Sequence, residues 1–174
     1  KGLMDLIESI RILRERGRSI HLDVCGPTEH VPEYYERCRK RIAELGLEDT
    51  ITIRGTVKVR QWLTEFDLFL LPSYNEGLPV VSLETMGAGI PTVSTDVGAV
   101  RTVVEDRIVG PDSRAWGPCG LVIAPGDPTI MADGVDRIIG DIDLYENLSL
   151  AARGRAEAAY DLRRVNAAYN DLYR

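Results

Sequence analysis

Cysteine is scarce in this chain: Cys25, Cys38 and Cys119 are the only three in 174 residues, widely spaced and without a C-x-x-C pair. An odd, dispersed set excludes a disulfide framework and is expected of buried structural thiols in a reducing, cytoplasmic compartment. Long apolar runs are missing as well. None approaches the roughly 18 residues that span a bilayer, and the first residues lack the pattern of a secretory signal. Basic residues are outnumbered, 21 Lys and Arg against 27 Asp and Glu, giving a net charge of -6. That balance argues against a nucleic-acid partner and against broad contact with anionic lipid, because both select concentrated Lys and Arg. The one dense basic run, Arg37 to Arg41, reads as the solvated face of a helix whose Tyr35, Cys38, Ile42 and Leu45 form the buried stripe.

What is present is the composition of a globular domain, with 44% hydrophobic and 28% charged residues. The length suits a single domain over residues 1–174. Leu3, Leu6, Ile7, Ile10 and Leu13 share one helical face, and Gly17 stops that helix. "SIHLDVCG" reads as a strand, "VPEYYERCRKRIAELG" as a helix, "TITIRG" as a strand, "VRQWLTEF" as a short helix and "DLFLLPS" as a strand apolar on both faces. Next come helix "LPVVSLETMGAG", strand "PTVSTD", helix "AVRTVVED", an irregular stretch from Arg107 to Pro118, strand "GLVIAP" and three helices from Pro128. Short apolar strands alternating with helices predict an α/β fold, a doubly wound, Rossmann-like parallel sheet with extra C-terminal helices. Such a domain normally opens on a strand, and this chain opens on a helix. The first strand is therefore expected to be missing, as in a fragment of a longer protein.

In open parallel sheets ligands bind outside the carboxyl ends of the strands. The loops at those ends are "GPTEH" from Gly26, "GTVKV" from Gly55, "PSYNEG" ending at Gly77, and "DVGAV" around Gly98. Each contains Gly, which lets a ligand approach the backbone and equally serves an ordinary turn.

The third loop leads into "EGLPVVSLE", where Glu76 and Glu84 bracket an otherwise apolar stretch. Pro79 suits the first position of a helix, with Leu78 as cap and Gly77 as bend, so the free N–H groups near Val80 and Val81 point outward. A helix end of this kind contributes up to ~2 kcal/mol towards binding an anion. A carboxylate ~7 Å from a phosphate, at an effective dielectric near 40, is repelled by about 1 kcal/mol. The same carboxylate gains roughly 1.5–3 kcal/mol from a hydroxyl. Two acids around a phosphate-binding helix end thus describe a nucleotide-sugar site. The spacing alone fits equally well a loop charge at Glu76 and a solvent-facing Glu84.

Other signals are weaker. Gly87-Ala88-Gly89 ends a helix and lacks the third glycine of a dinucleotide fingerprint. Asp141-Ile142-Asp143 resembles a metal-binding D-x-D, yet it joins two predicted helices and reads as a cap. His21 and His30 have no carboxylate or Cys at metal-ligand spacing, so no metal site is expected. Trp62 is expected in the core, and Tyr169 and Tyr173 are expected to be packed.

The stretch "EGLPVVSLETMGAGIPTVSTDVGAVRTVVED" resembles the family-four retaining glycosyltransferases of the GT-B fold, with their Glu, seven residues, Glu signature. Asp96-Val97-Gly98 and "GPCGLVIAPGDP" look most like the Pel-type exopolysaccharide enzymes. The resemblance runs from Lys1 to the C-terminus, and its longest match covers Pro72 to Glu105. It implies that Glu84 holds the nucleotide ribose and Glu76 the transferred sugar. The backbone of Gly77, Leu78, Pro79, Val80 and Val81 would shape the sugar and diphosphate pocket. Lys1 would clamp the diphosphate, together with an arginine upstream of the first residue. Val57 would face the base through its main chain, beside the loop glycines Gly55 and Gly26. Pro79 departs from the family, many members of which have a second Gly there, and it removes one N–H donor.

The implied function is the donor-binding half of a retaining, metal-independent glycosyltransferase that needs no cofactor. UDP-glucose is the donor the Pel-type likeness suggests, and a polysaccharide is the acceptor. Its partners would be the missing N-terminal acceptor domain and a membrane-bound synthase complex, and the isolated domain would be inactive. Two other classes stay open: a non-catalytic nucleotide-binding scaffold or synthase subunit, and a GT-B-like nucleotide-sugar epimerase.

Overall fold

Strands and helices alternate as expected. A computed structural model describes residues 2–173. It runs α1 (Leu3–Glu15), β1 (Leu22–Cys25), α2 (Pro32–Glu44), β2 (Ile51–Gly55), a 3₁₀ turn (Val59–Gln61), β3 (Phe69–Leu71), α3 (Val80–Gly87), β4 (Thr92–Thr95) and α4 (Val100–Val104). Then follow β5 (Ile108–Val109), β6 (Ala115–Trp116), β7 (Gly120–Ile123), α5 (Pro128–Ile139), α6 (Ile142–Arg155), a π-helical segment (Ala156–Tyr160) and α7 (Leu162–Leu172). β1 pairs with β2 in parallel, and β3, β4 and β7 form a second parallel group with β4 in the middle.

Successive side chains on a strand point to opposite faces, and here they feed two separate cores. Leu70 of β3 and Leu121 and Ile123 of β7 join Leu6, Ile7, Ile10 and Leu13 of α1 and Met131 and Val135 of α5. Their neighbours Phe69, Leu71 and Val122 join Met86 of α3 and Val100, Val103 and Val104 of α4. Helices therefore cover both faces, which is the doubly wound arrangement. Fully burying an aliphatic side chain such as Ile7 or Leu13 contributes about 1.5–3 kcal/mol. β4 is buried at all four positions, and Gly134 of α5 leaves room for Val93. On the outside, Arg16 and Arg18 after α1 pair with Asp133 and Asp136 of α5.

Several local expectations hold. Gly17 and Gly89 take left-handed backbone at helix ends, and Asp141 caps α6 by accepting from the Leu144 amide at 3.0 Å. Others are corrected. The stretch from Arg107 to Pro118 contains an antiparallel pair, β5 with β6. Trp62 is only half-buried, with the Arg54 guanidinium 4.9 Å over its ring. A flat cation on an indole keeps both at the surface, where the guanidinium stays hydrated. Tyr169 and Tyr173 are 58% and 86% exposed, so this end of α7 is uncovered by the described residues. Cys38 and Cys119 are buried, but Cys25 is exposed at the carboxyl end of β1.

One residue the sequence reading passed over is Arg155, which is fully buried. Its guanidinium donates to the carbonyls of Val103 at 2.5 and 3.1 Å, Thr102 at 3.1 Å, Asp106 at 2.6 Å and Gly117 at 2.8 Å. It thus satisfies the open C-terminal carbonyls of α4, where a cation also complements the helix dipole.

Candidate active site

The β3–α3 loop is built from beneath by β4. Thr95 Oγ1 donates to the Ser73 carbonyl, and Ser94 Oγ donates to the Leu71 carbonyl at 3.3 Å. Buried Ser73 in turn donates its hydroxyl to Glu76 Oε1 at 2.6 Å. A line of hydroxyls therefore runs from the middle strand to the first acid and restricts its rotamers. From the side, the β4–α4 loop seals the same turn: the Ala99 amide donates to the Gly77 carbonyl at 2.9 Å. Gly98 has φ +53°, and a Cβ there would run into the Glu76 and Gly77 carbonyl oxygens. Only glycine allows two loops to meet this closely.

The helix start differs by one residue from the expectation. Pro79, with extended ψ of 95°, is the cap of α3, and Val80 is the first helical residue. Leu78 is therefore the residue before the cap. Proline fits because a cap position needs no helical ψ and its missing N–H deprives no carbonyl of a partner. Pro79 is buried, whereas Leu78 and Val80 are 52% and 63% exposed. Among the described residues no side chain caps the helix. In its first turn the Ser82 amide donates to the Pro79 carbonyl at 3.0 Å, while the amides of Val80 and Val81 precede any carbonyl of their own helix that they could bond.

Glu84, one turn into α3, lines an open hollow of about 550 Å³ together with Val57, Lys58, Val59, Arg60 and Gln61. The structure thus brings Glu84 and Val57 to one place. Glu76 stands on the loop before the helix and is not part of that lining. Beside the hollow, the Gly26 amide donates to the Gly55 carbonyl at 2.8 Å. A Cβ at Gly26, Gly55 or Gly77 would meet nothing within 4 Å, so all three face open space.

Lys1 lies outside the described residues. Its neighbour Gly2 has φ +70°, and a Cβ there would collide with the Pro72 carbonyl oxygen at the end of β3. Tyr34 of α2 accepts from the Met4 amide at 3.1 Å, and Tyr74 donates to Asp5. That hydrogen bond to the carboxylate raises the Tyr74 pKa. Among the described residues no group of three or more His, Cys, Asp or Glu is arranged to hold a metal ion, and no helix is long and apolar enough to cross a membrane.

Comparison with known proteins decides the family. The model of the family "Glycosyl transferases group 1" matches residues 1–141. The chain belongs to the glycosyl transferases group 1 family. Among its curated relatives is the alpha-D-kanosaminyltransferase of Streptomyces kanamyceticus, 30% identical, with 100% of the chain and 42% of the relative aligned. The amylovoran biosynthesis glycosyltransferase AmsK of Erwinia amylovora is 29% identical over 92% of the chain and 38% of its own length. Among solved structures, Anabaena HepE in complex with UDP-glucose superposes with a TM-score of 0.85 at 20% identity, covering 99% of the chain and 45% of HepE. The group 1 glycosyl transferase domain therefore has the Rossmann-like α/β architecture of GT-B proteins. It spans about two fifths of the length of these curated relatives.

Proposed function

We propose that this domain binds the nucleotide-sugar donor, UDP-glucose, for retaining, metal-independent transfer of the hexose to a polysaccharide in a Pel-type exopolysaccharide pathway. In this reading Glu84 accepts from the ribose hydroxyls and Glu76 from hydroxyls of the sugar. Amides of Gly77, Leu78, Val80 and Val81 lie against the diphosphate, and Pro79 shapes the turn without donating. Val57 presents main-chain atoms to the base, and Gly26 and Gly55 leave room for it. Lys1, with groups of a second domain, would oppose the charge that grows on the departing diphosphate, a form of electrostatic catalysis. A cytoplasmic protein acting with a membrane-bound synthase completes the proposal.

The single observation that supports it is the shared hollow of Glu84 and Val57, one helical turn from the uncapped start of α3, in a group 1 glycosyl transferase. Calorimetry of the folded chain with UDP, UDP-glucose and other nucleotide sugars tests it. Saturable binding of UDP and UDP-glucose is the expected result. A folded sample that binds none of them overturns the reading.

A further inference from the structure

We infer that Tyr74 is a positioning residue for the sugar of the donor: through its hydrogen bond to Asp5 it sets where Glu76 stands, and so the grip of that carboxylate on the sugar hydroxyls. The inference rests on the donor-site reading above. On one side of this span Ser73 is fixed from beneath by Thr95 and donates to the Glu76 carboxylate. Between Ser73 and Glu76 lie Tyr74 and Asn75, and among the described residues their main chain forms no hydrogen bond. The Tyr74 side chain supplies the missing support. Its hydroxyl donates to the Asp5 carboxylate in the first turn of α1, 69 positions away. Its ring lies beside Gly126 of the β7–α5 loop, where a Cβ would come within 3.7 Å of the ring edge and the hydroxyl.

Asp5 is a firm anchor. The amide before it, that of Met4, is bonded to Tyr34 of α2 at 3.1 Å, and the Asp5 carbonyl accepts from the Ser9 hydroxyl at 2.7 Å. Gly2 seats the same end of α1 against the Pro72 carbonyl. Successive residues of the β3–α3 loop therefore reach different supports: Pro72 meets Gly2, Ser73 meets β4, and Tyr74 meets Asp5. A hydroxyl donating to a carboxylate is a charge-assisted bond of the stronger kind. The bond also raises the Tyr74 pKa, which keeps the donor protonated. Tyr74 is 55% exposed, so it adds little to the core, and its contribution is geometric. Hydrogen bonds weaken steeply once they leave their preferred angle. A chain free to swing between Ser73 and Glu76 would lose that alignment on the sugar, while the nucleotide, held at Glu84 and Val57 in this reading, would not feel it.

Calorimetry on the full-length protein with UDP and with UDP-glucose reads the two grips separately. Tyr74→Phe keeps the ring and removes only the donor. It is expected to weaken UDP-glucose at least about 5-fold while UDP stays within about 2-fold. Asp5→Ala should do the same from another element, and Asp5→Asn, which keeps an oxygen acceptor, should recover most of the affinity. The double variant Asp5→Ala, Tyr74→Phe should lose no more than either single variant, because both remove one bond. A merely structural role would instead lower both affinities together. An unchanged UDP-glucose to UDP ratio in Tyr74→Phe, parallel losses for the two compounds, or single losses that add in the double variant each overturn the inference and leave the donor site standing. Failure of the unaltered protein to bind either compound overturns the donor-site reading and this inference with it.

Discussion

Gly98 stands against Glu76 so closely that the glycine has no room for a side chain, and its φ of +53° independently disfavours one. The first acid of the candidate site is thus held in place by backbone contact from a neighbouring loop. Gly98→Ala meets both a left-handed backbone and a carbonyl oxygen that cannot move freely. Expected is a loss of about 2–3 kcal/mol in stability by urea unfolding. Ala in place of Gly77, which faces open space, should cost clearly less.

Arg155→Met removes the buried group that donates to four carbonyl oxygens, the buried one of Val103 and the part-buried ones of Thr102, Asp106 and Gly117. A loss of about 3 kcal/mol or more in unfolding free energy is expected. Arg155→Lys should recover only part of it, since an ammonium lacks the planar fork that reaches several carbonyls at once. Full recovery by Lys would show that charge alone matters.

The two acids of the site should separate in function when placed in the full-length protein. Glu84→Ala is expected to weaken UDP binding by about 10-fold or more, the worth of a charged hydrogen bond to the ribose. Glu76→Gln should leave UDP affinity within about 2-fold and lower sugar transfer by at least about 100-fold. Parallel losses in both measurements for both variants would refute the assigned roles.

The α1–α2 contact carries an acid-sensitive component. Arg41 donates to Glu8 at 2.6 Å, and this bond, helped by Arg11, holds the Glu8 carboxyl below its usual value despite partial burial. Because the folded pKa is depressed, the stabilisation is fully present above the unfolded pKa, near 4.5. It is lost as pH falls through the lower folded value. Unfolding free energy measured between pH 6 and pH 3 should fall less steeply for Glu8→Gln than for the unaltered chain. Identical slopes would remove Glu8 from the acid response.

The elements legible in the sequence were those with a local period. Leu6, Ile7, Ile10 and Leu13 repeat at helical spacing, and each is buried on α1. The apolar run into Leu71 marked a strand covered on both faces, with Leu70 and Leu71 entering opposite cores. The β5–β6 pair was not legible, because two-residue strands are too short to show alternation. Arg155 was hidden for a different reason. A charged residue near the end of a helix normally points to water, and its four carbonyl partners lie 38 to 53 positions away. Of the site, the Glu76 and Glu84 spacing and the loop glycines could be read from order along the chain. The line from Thr95 through Ser73 to Glu76 could not, since it depends on β3 lying beside β4. The start of α3 was displaced by one residue because proline is equally at home at a cap and at the first helical position.

The division of the strands' two faces has an evolutionary corollary. Met86, Val100 and Val104, which support α3 and α4, share no cluster with Ile7, Leu13 and Val135 across the sheet. Volume-conserving exchanges on one face are therefore absorbed locally. Descendants of such a domain are free to repack α3 and α4 on one face without a matching change in α1 and α5 on the other.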